Sequence, residues 1–184
     1  MPEFRHDTVR LILRDWRPGD WPVFFAATNT PPVMRWLGGV MDESGQAALR
    51  ARIESDLAGH GHTFWVVERR ADGALLGFCG LKRSNQPGGL QGLMEVGWRL
   101  REDAWGKGYA REAAAAALDL AFTRFGAGEV IALTVERNTA SWGLMLRLGM
   151  ERRADLDFDS PEFDPANPRI IAYAIARDTW EAPA

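Results

Sequence analysis

Apolar and polar positions recur along this chain with a changing period, and the changes mark its elements. In residues 8–14, Val9, Leu11 and Leu13 fall on one side of a two-residue repeat, which predicts a first strand. Residues 15–20, with Pro18 and Gly19, read as a turn, and Asp20 is placed to cap a helix reaching Ala27. Pro31-Pro32 interrupts the chain. Residues 42–45 open a longer helix in which Leu49, Ile53 and Leu57 recur at four-residue spacing, before Gly59 and Gly61 close it. Residues 64–68 and 75–81 are two apolar strands around Asp72-Gly73, a hairpin signal. Residues 84–92, rich in Gly, Pro and Asn, predict a loop.

The most informative stretch runs from Met94 to Phe125. A strand leads through Trp105-Gly106-Lys107-Gly108-Tyr109-Ala110 into an alanine-rich helix over residues 110–125, with Leu118, Ala121, Phe122 and Phe125 on one side. The first N–H groups of a helix lack intrahelical partners and carry partial positive charge. A glycine turn leading into such an end suits a phosphate or pyrophosphate, and Lys107 adds a cation. An ordinary strand-to-helix connection has the same look. The P-loop pattern is absent, because Gly108 follows Lys107, and Arg111 stands where a dinucleotide fingerprint needs its third glycine.

An apolar strand over residues 130–135 comes next, then Asn138, Thr139 and Ser141, then a short helix whose stripe is Leu144, Met145 and Leu148. Asn138 or Thr139 can cap that helix and Gly149 ends it. Residues 158–168 are the least regular stretch, and residues 170–180 form a terminal strand. Strands interleaved with helices predict a mixed α/β sheet without internal repeat or linker, one domain over residues 1–184. The unit around the glycine turn is βαβ, so its two strands should be parallel.

Residues 105–110 resemble the acyl-coenzyme-A loop of the GCN5-related N-acetyltransferase (GNAT) superfamily, Q/R-x-x-G-x-G/A, with Trp105 in place of the usual Gln or Arg. The loop followed by an acidic residue resembles the branch that acetylates ribosomal-protein N-termini (RimJ/RimL-like). The string from Asn138 to Gly149 resembles the same family's N-x-x-S/A…L-G-F/M element, in family order and spacing. Residues 29–39, the 64–81 hairpin and residues 170–180 extend the likeness over nearly the whole chain. The resemblance implies a mostly antiparallel sheet with a central, splayed parallel strand pair and flanking helices. It implies an acetyl-CoA-dependent N-acetyltransferase, cytoplasmic, with acetyl-CoA as cosubstrate and a primary amine as acceptor, and a homodimer as a possible assembly. The cofactor-binding residues would be Trp98, Arg99 and Leu100, through main-chain N–H groups near the thioester carbonyl, then Trp105, Gly106, Lys107, Gly108, Tyr109, Ala110 and Asn138.

Acetyl transfer needs a neutral amine and a proton for the leaving thiolate. A lysine-like amine near pKa ~10.4 is neutral in about one molecule per thousand at neutral pH, a cost of roughly 4–5 kcal/mol, against about 1 kcal/mol for an α-amine. Glu95, sharing a strand face with Gly97 and Arg99, is the candidate general base, or else a strand-end carboxylate in solvent or in an ion pair. The family's usual proton-donating Tyr falls at Met145, which cannot donate, and Ser141 is the candidate substitute. That missing Tyr keeps a second reading open, a non-catalytic acyl-CoA-binding domain on the same fold. Trp36, Trp65, Trp105 and Trp142 are candidates either for an apolar acceptor pocket or for the core.

Composition narrows the alternatives. The 184 residues, 46% hydrophobic and 26% charged with a formal charge of −3, suit one globular domain. No basic stripe points to nucleic acid, and no stretch approaches a transmembrane helix or a signal peptide. The single Cys79 lies in an apolar run and reads as a buried, inert thiol. His6, His60 and His62 form no metal-binding pattern, so no metal is expected.

Overall fold

A computed structural model describes residues 3–86 and 88–181. Residues 1 and 2 of the first segment and residue 87 of the 84–92 loop lie outside the described residues. The strands are β1 (Arg5–Asp7), β2 (Leu11–Arg14), β3 (Phe64–Arg69), β4 (Leu75–Arg83), β5 (Met94–Leu100), β6 (Glu129–Val135), β7 (Glu151–Arg152), β8 (Phe158–Asp159) and β9 (Arg169–Ala176). They form one sheet in the order β1-β2-β3-β4-β5-β6-β9-β7, with β8 also on β9. Every pair is antiparallel except β5 with β6. The helices are α1 (Asp20–Thr28), α2 (Pro31–Met34), α3 (Glu43–His60), α4 (Tyr109–Thr123) and α5 (Thr139–Arg147).

Side-chain alternation along the strands sends two cores to the two faces. Met94, Val96 and Leu100 of β5 pack with Ala113, Ala114, Ala117 and Leu118 of α4, and with Leu144 and Met145 of α5. Alanine along α4 lets that helix lie close to the sheet. On the other face Trp21 and Phe24 of α1 and Leu49 and Ile53 of α3 close over Phe64, Val66 and Phe78. Leu90, Ile131 and Ala174 make a third, smaller cluster on β6 and β9. The 95-97-99 edge of β5 therefore lies between two apolar clusters on its α1/α3 face.

Two local expectations change. Residues 8–14 are not one strand: Thr8 N–H donates to the Leu11 carbonyl and closes a tight turn between β1 and β2, leaving Val9 86% exposed. Asp20 does not cap α1; Gly19 holds that position, and the Asp20 carboxylate accepts from Arg14 (2.7 and 3.0 Å) and from the Arg17 N–H instead. α3 does begin at a true cap, with Asp42 accepting from the Gly45 N–H at 2.8 Å.

Candidate active site

The turn into α4 is made by two glycines. Gly106 and Gly108 have φ of 72° and 79°, the left-handed region that other residues enter at a cost. Gly108 is the N-cap and offers no side chain to the helix, and the first α4 bond runs from Glu112 N–H to the Gly108 carbonyl. The N–H groups ahead of it have no intrahelical acceptor. Gly106, Lys107 and Gly108 are exposed, so this end of the helix faces outward.

The underside of the turn is fastened to the far end of the sequence. Glu112, in the first turn of α4, accepts from Thr8 Oγ1 (2.6 Å), Arg10 N–H (2.7 Å) and Arg10 Nε (2.7 Å). Arg10 also donates to the Lys107 carbonyl at 2.9 Å and lies 4.7 Å over the Tyr109 ring. Burial alone would raise the Glu112 carboxyl, but the Thr8 and Arg10 hydrogen bonds outweigh it and hold it below the usual range.

β5 opens beside this turn. It pairs with β4 along all of Met94–Leu100 but meets β6 only at Met94↔Val130 and Glu95↔Ile131. From Val96 onward its second edge is free. The bonds from Arg101 N–H to Leu76 and from Ser84 N–H to Leu93 fix the phase. Odd positions of β5 direct their main-chain groups to β4, and even positions direct theirs to the gap. Trp98 and Leu100 thus turn their N–H groups to the opening. Arg99 does not, because its main-chain groups are consumed by β4; what it brings to this region is its side chain, on the opposite face. The Leu100 carbonyl accepts from Trp105 Nε1 at 2.9 Å, which ties the residue replacing the usual Gln or Arg to the mouth of the gap.

On the α1/α3 face stand Glu95, Gly97 and Arg99. Glu95 is 9% exposed. Its cross-strand partner is Lys82, whose Nζ lies 3.1 Å from Oε2, an atom with no other hydrogen-bond partner among the described residues. Burial pushes the Glu95 carboxyl up, and the Lys82 ammonium offsets only part of that. A Cβ on Gly97 would come within 2.9 Å of the Phe64 ring, so only glycine lets that ring lie on the strand. Phe64 stacks on Phe78 at 4.8 Å between ring centroids. Arg99, 6% exposed, lies against the rings of Phe24 (5.3 Å) and Phe78 (5.0 Å), beside the pair that these two make with each other at 5.4 Å, and its Nε and Nη1 meet no acceptor among the described residues. Burial, and secondarily Arg52, pull its guanidinium down to about 10.

Beyond β6, Asn138 holds the N-cap position of α5 but does not cap it with its side chain. Its Nδ2 donates to Thr134 Oγ1 at 3.1 Å, which fixes the β6–α5 turn, while its carbonyl accepts from Ser141 and Trp142 N–H. Ser141 is half-buried in the first turn of α5. Met145 is buried in the α4-side core, where it packs with Leu144 and Leu148. Trp65 belongs to the same core, stacked on Phe4 at 4.4 Å, and is not a pocket wall. Trp142 donates to the Glu136 carbonyl and Trp105 is exposed. Trp36 lies beneath Arg137 (5.1 Å), which reaches Asp164 at 3.4 Å and so connects the 158–168 segment to the stretch after α2. Cys79 is fully buried and its thiol is pushed far up. Lys82 and Arg10 are additions that periodicity alone does not reveal, because one depends on the register of β4 against β5 and the other on a turn packed against α4.

Residues 10–151 match the model of the acetyltransferase (GNAT) domain. The uncharacterized protein YkkB of Bacillus subtilis is 31% identical over 144 residues, 78% of this chain and 83% of that one. The uncharacterized N-acetyltransferase YnaD of the same organism is 29% identical over 174 residues, covering 94% and 97%. Among solved structures, the ribosomal-protein-S5-alanine acetyltransferase of Vibrio fischeri superposes with a TM-score of 0.75 at 17% identity over 97% of this chain and 99% of its own, a likeness of fold.

Proposed function

We infer, from the premise that the chain belongs to the acetyltransferase (GNAT) domain family and is an acetyltransferase, that it moves the acetyl group of acetyl-CoA directly onto a primary amine, acting as one domain over its whole length. The observation that carries this reading is the departure of β5 from β6 beside an uncapped helix start, with two main-chain N–H groups turned to the opening. The residues suit the cosubstrate. The outward-facing glycine turn, Lys107 and the first N–H groups of α4, from Tyr109 and Ala110, would hold its pyrophosphate. Trp105 and Asn138 flank the course of its arm. When bound it supplies an acetyl group activated as a thioester.

The chain's own groups supply the rest. Trp98 and Leu100 N–H groups would donate to the acyl oxygen as negative charge gathers there. Glu95 would take the amine proton, and its raised affinity for a proton brings it nearer the working pH than an ordinary glutamate. Ser141, or water beside it, would hydrogen-bond the departing sulfur. Cys79, the one thiol, is sealed in the core, which supports attack by the amine itself without an acyl-enzyme. The acceptor is either a protein N-terminus or a small amine. Thiol release from acetyl-CoA, followed across amines and N-terminal peptides, tests the assignment. Turnover with at least one class is expected. Tight acetyl-CoA binding without turnover of any amine would favour the binding-domain reading.

A further inference from the structure

The charges on the α1/α3 face of β5 do not balance. Lys82 faces Glu95, and Arg52 of α3 lies close enough to act on both Glu95 and Arg99. Arg99 has no ion-pair or hydrogen-bond partner for its buried Nε and Nη1 among the described residues, and the rings of Phe24 and Phe78 lie against it. Removing a guanidinium from water without a partner is expensive, and a hydrophobic side chain of similar volume would fill this place at less cost. Phe24 and Phe78 do more than accommodate the cation. Their rings attract the cation electrostatically while its Nε and Nη1 donors remain free.

We propose that the acceptor amine carries a carboxylate and that Arg99 is the group that receives it. The inference rests on the reading of this face as the acceptor side. A planar carboxylate can accept from the free Nε and Nη1 edge of this guanidinium, and its single charge is easier to bring to a buried cation than the larger, more strongly hydrated phosphate. Glu95 and Arg99 are four residues apart on one strand face, about 13 Å between their Cα atoms. Between them Gly97 leaves room for the Phe64 ring to lie on the strand. Amine and carboxylate would therefore be joined by an apolar body that rests on Phe64. Arg99 is a specificity-determining residue in this scheme, with its charge left uncompensated until substrate supplies the partner.

Two measurements on the whole protein test this. Turnover is compared within matched sets: 4-(aminomethyl)benzoate, its primary amide and benzylamine in one, 6-aminohexanoate and hexylamine in the other. The carboxylate member of at least one set should have a kcat/KM roughly 10- to 100-fold above its partners without a carboxylate, as expected for one hydrogen-bonded charge pair, and Arg99→Leu should abolish the preference. In parallel, melting of wild type and Arg99→Leu is followed with 3-phenylpropionate, 3-phenylpropionamide and phenylphosphonate. Only 3-phenylpropionate should raise the wild-type midpoint, and Arg99→Leu should not respond, while its own midpoint without any probe should equal or exceed that of wild type. Arg99→Lys, which keeps the charge without the planar fork, should retain part of the response and serves if the leucine variant does not fold. Carboxylate-dependent melting without turnover of any amine would support the anion site and count against acetyl transfer to these acceptors. Turnover with equal kcat/KM for members with and without a carboxylate, a preference that survives in Arg99→Leu, or stronger stabilisation by phenylphosphonate would each overturn the proposal.

Discussion

Toward α4, the surroundings of β5 are made of main chain: two glycines, an uncapped helix start, and the N–H groups of Trp98 and Leu100. Toward α1 and α3 they are made of charged side chains taken out of water: Glu95 against Lys82, and Arg99 beside two stacked phenylalanines. The first surface depends little on which side chains occupy it, which is why Trp105 can stand in a loop that usually opens with Gln or Arg. The second depends on individual atoms, because each buried charge needs a specific partner. A ligand shared by many proteins suits the first kind of surface, and a ligand particular to one protein suits the second.

The contrast can be broken from either side, and the largest effect belongs to the charged face. Glu95→Gln should lower kcat by on the order of 10²–10⁴ with a lysine-like amine, and less with an α-amine, if Glu95 takes the proton. Acetyl-CoA affinity, measured by calorimetry, should hardly move. A mutant with full turnover of both amines would remove Glu95 as the base. Glu112→Ala acts on the main-chain face through its support. Loss of a hydrogen-bonded charge costs about 1.5–3 kcal/mol, the lower end applying here because Arg10 is partly exposed. The thermal midpoint should drop by about 3–8 °C at that cost, and acetyl-CoA affinity should fall while the KM for the amine stays. Gly108→Val forces a branched residue into the left-handed region at about 1–2 kcal/mol. It should weaken acetyl-CoA binding about tenfold in a protein that still folds, and unchanged affinity would remove the loop from the site.

The smallest effect is a pH slope in stability. The Glu95 carboxyl holds its proton more tightly folded than unfolded, so between the ordinary value of 4.5 and its raised folded value the folded state binds more protons. Stability contributed by Glu95 is therefore present below that window and is lost as pH rises through it. Denaturation of wild type and Glu95→Gln across pH 4–8 should show wild type losing stability relative to the variant as pH rises. Parallel curves would mean that Lys82 fully compensates the burial.

Most of the fold was legible because its signals are local. The four-residue stripe of α3, the Asp72-Gly73 hairpin and the alanine face of α4 each declare themselves within a few turns of chain, and the glycine turn announced its own conformation. Position 9 misled because the alternation of Val9, Leu11 and Leu13 is genuine, yet a turn stabilised from residue 112 overrides it. Asn138 misled because its type favours caps, while a hydroxyl at Thr134 lay closer to hand. The charged half of the candidate site was half-visible. Glu95 and Arg99 share parity with Gly97, so their common face could be read directly. That Lys82 faces Glu95, that Phe78 faces Arg99, and that the Arg99 Nε and Nη1 find no acceptor among the described residues follow from how distant parts of the chain pack, which no local pattern encodes.

The tie between Arg10 and Glu112 spans 102 positions of sequence. A ribosome adds about 5–20 residues per second, so Arg10 leaves it several seconds to some tens of seconds before its partner exists. During that interval the β1–β2 turn lacks the carboxylate that organises it, and the proposed cradle for the cosubstrate lacks its floor. The growing chain is thus expected to gain acetyl-CoA affinity in one late step, when α4 emerges and docks against its oldest residues. Stalled chains ending before and after α4, probed for retention on immobilised coenzyme A, would time that step.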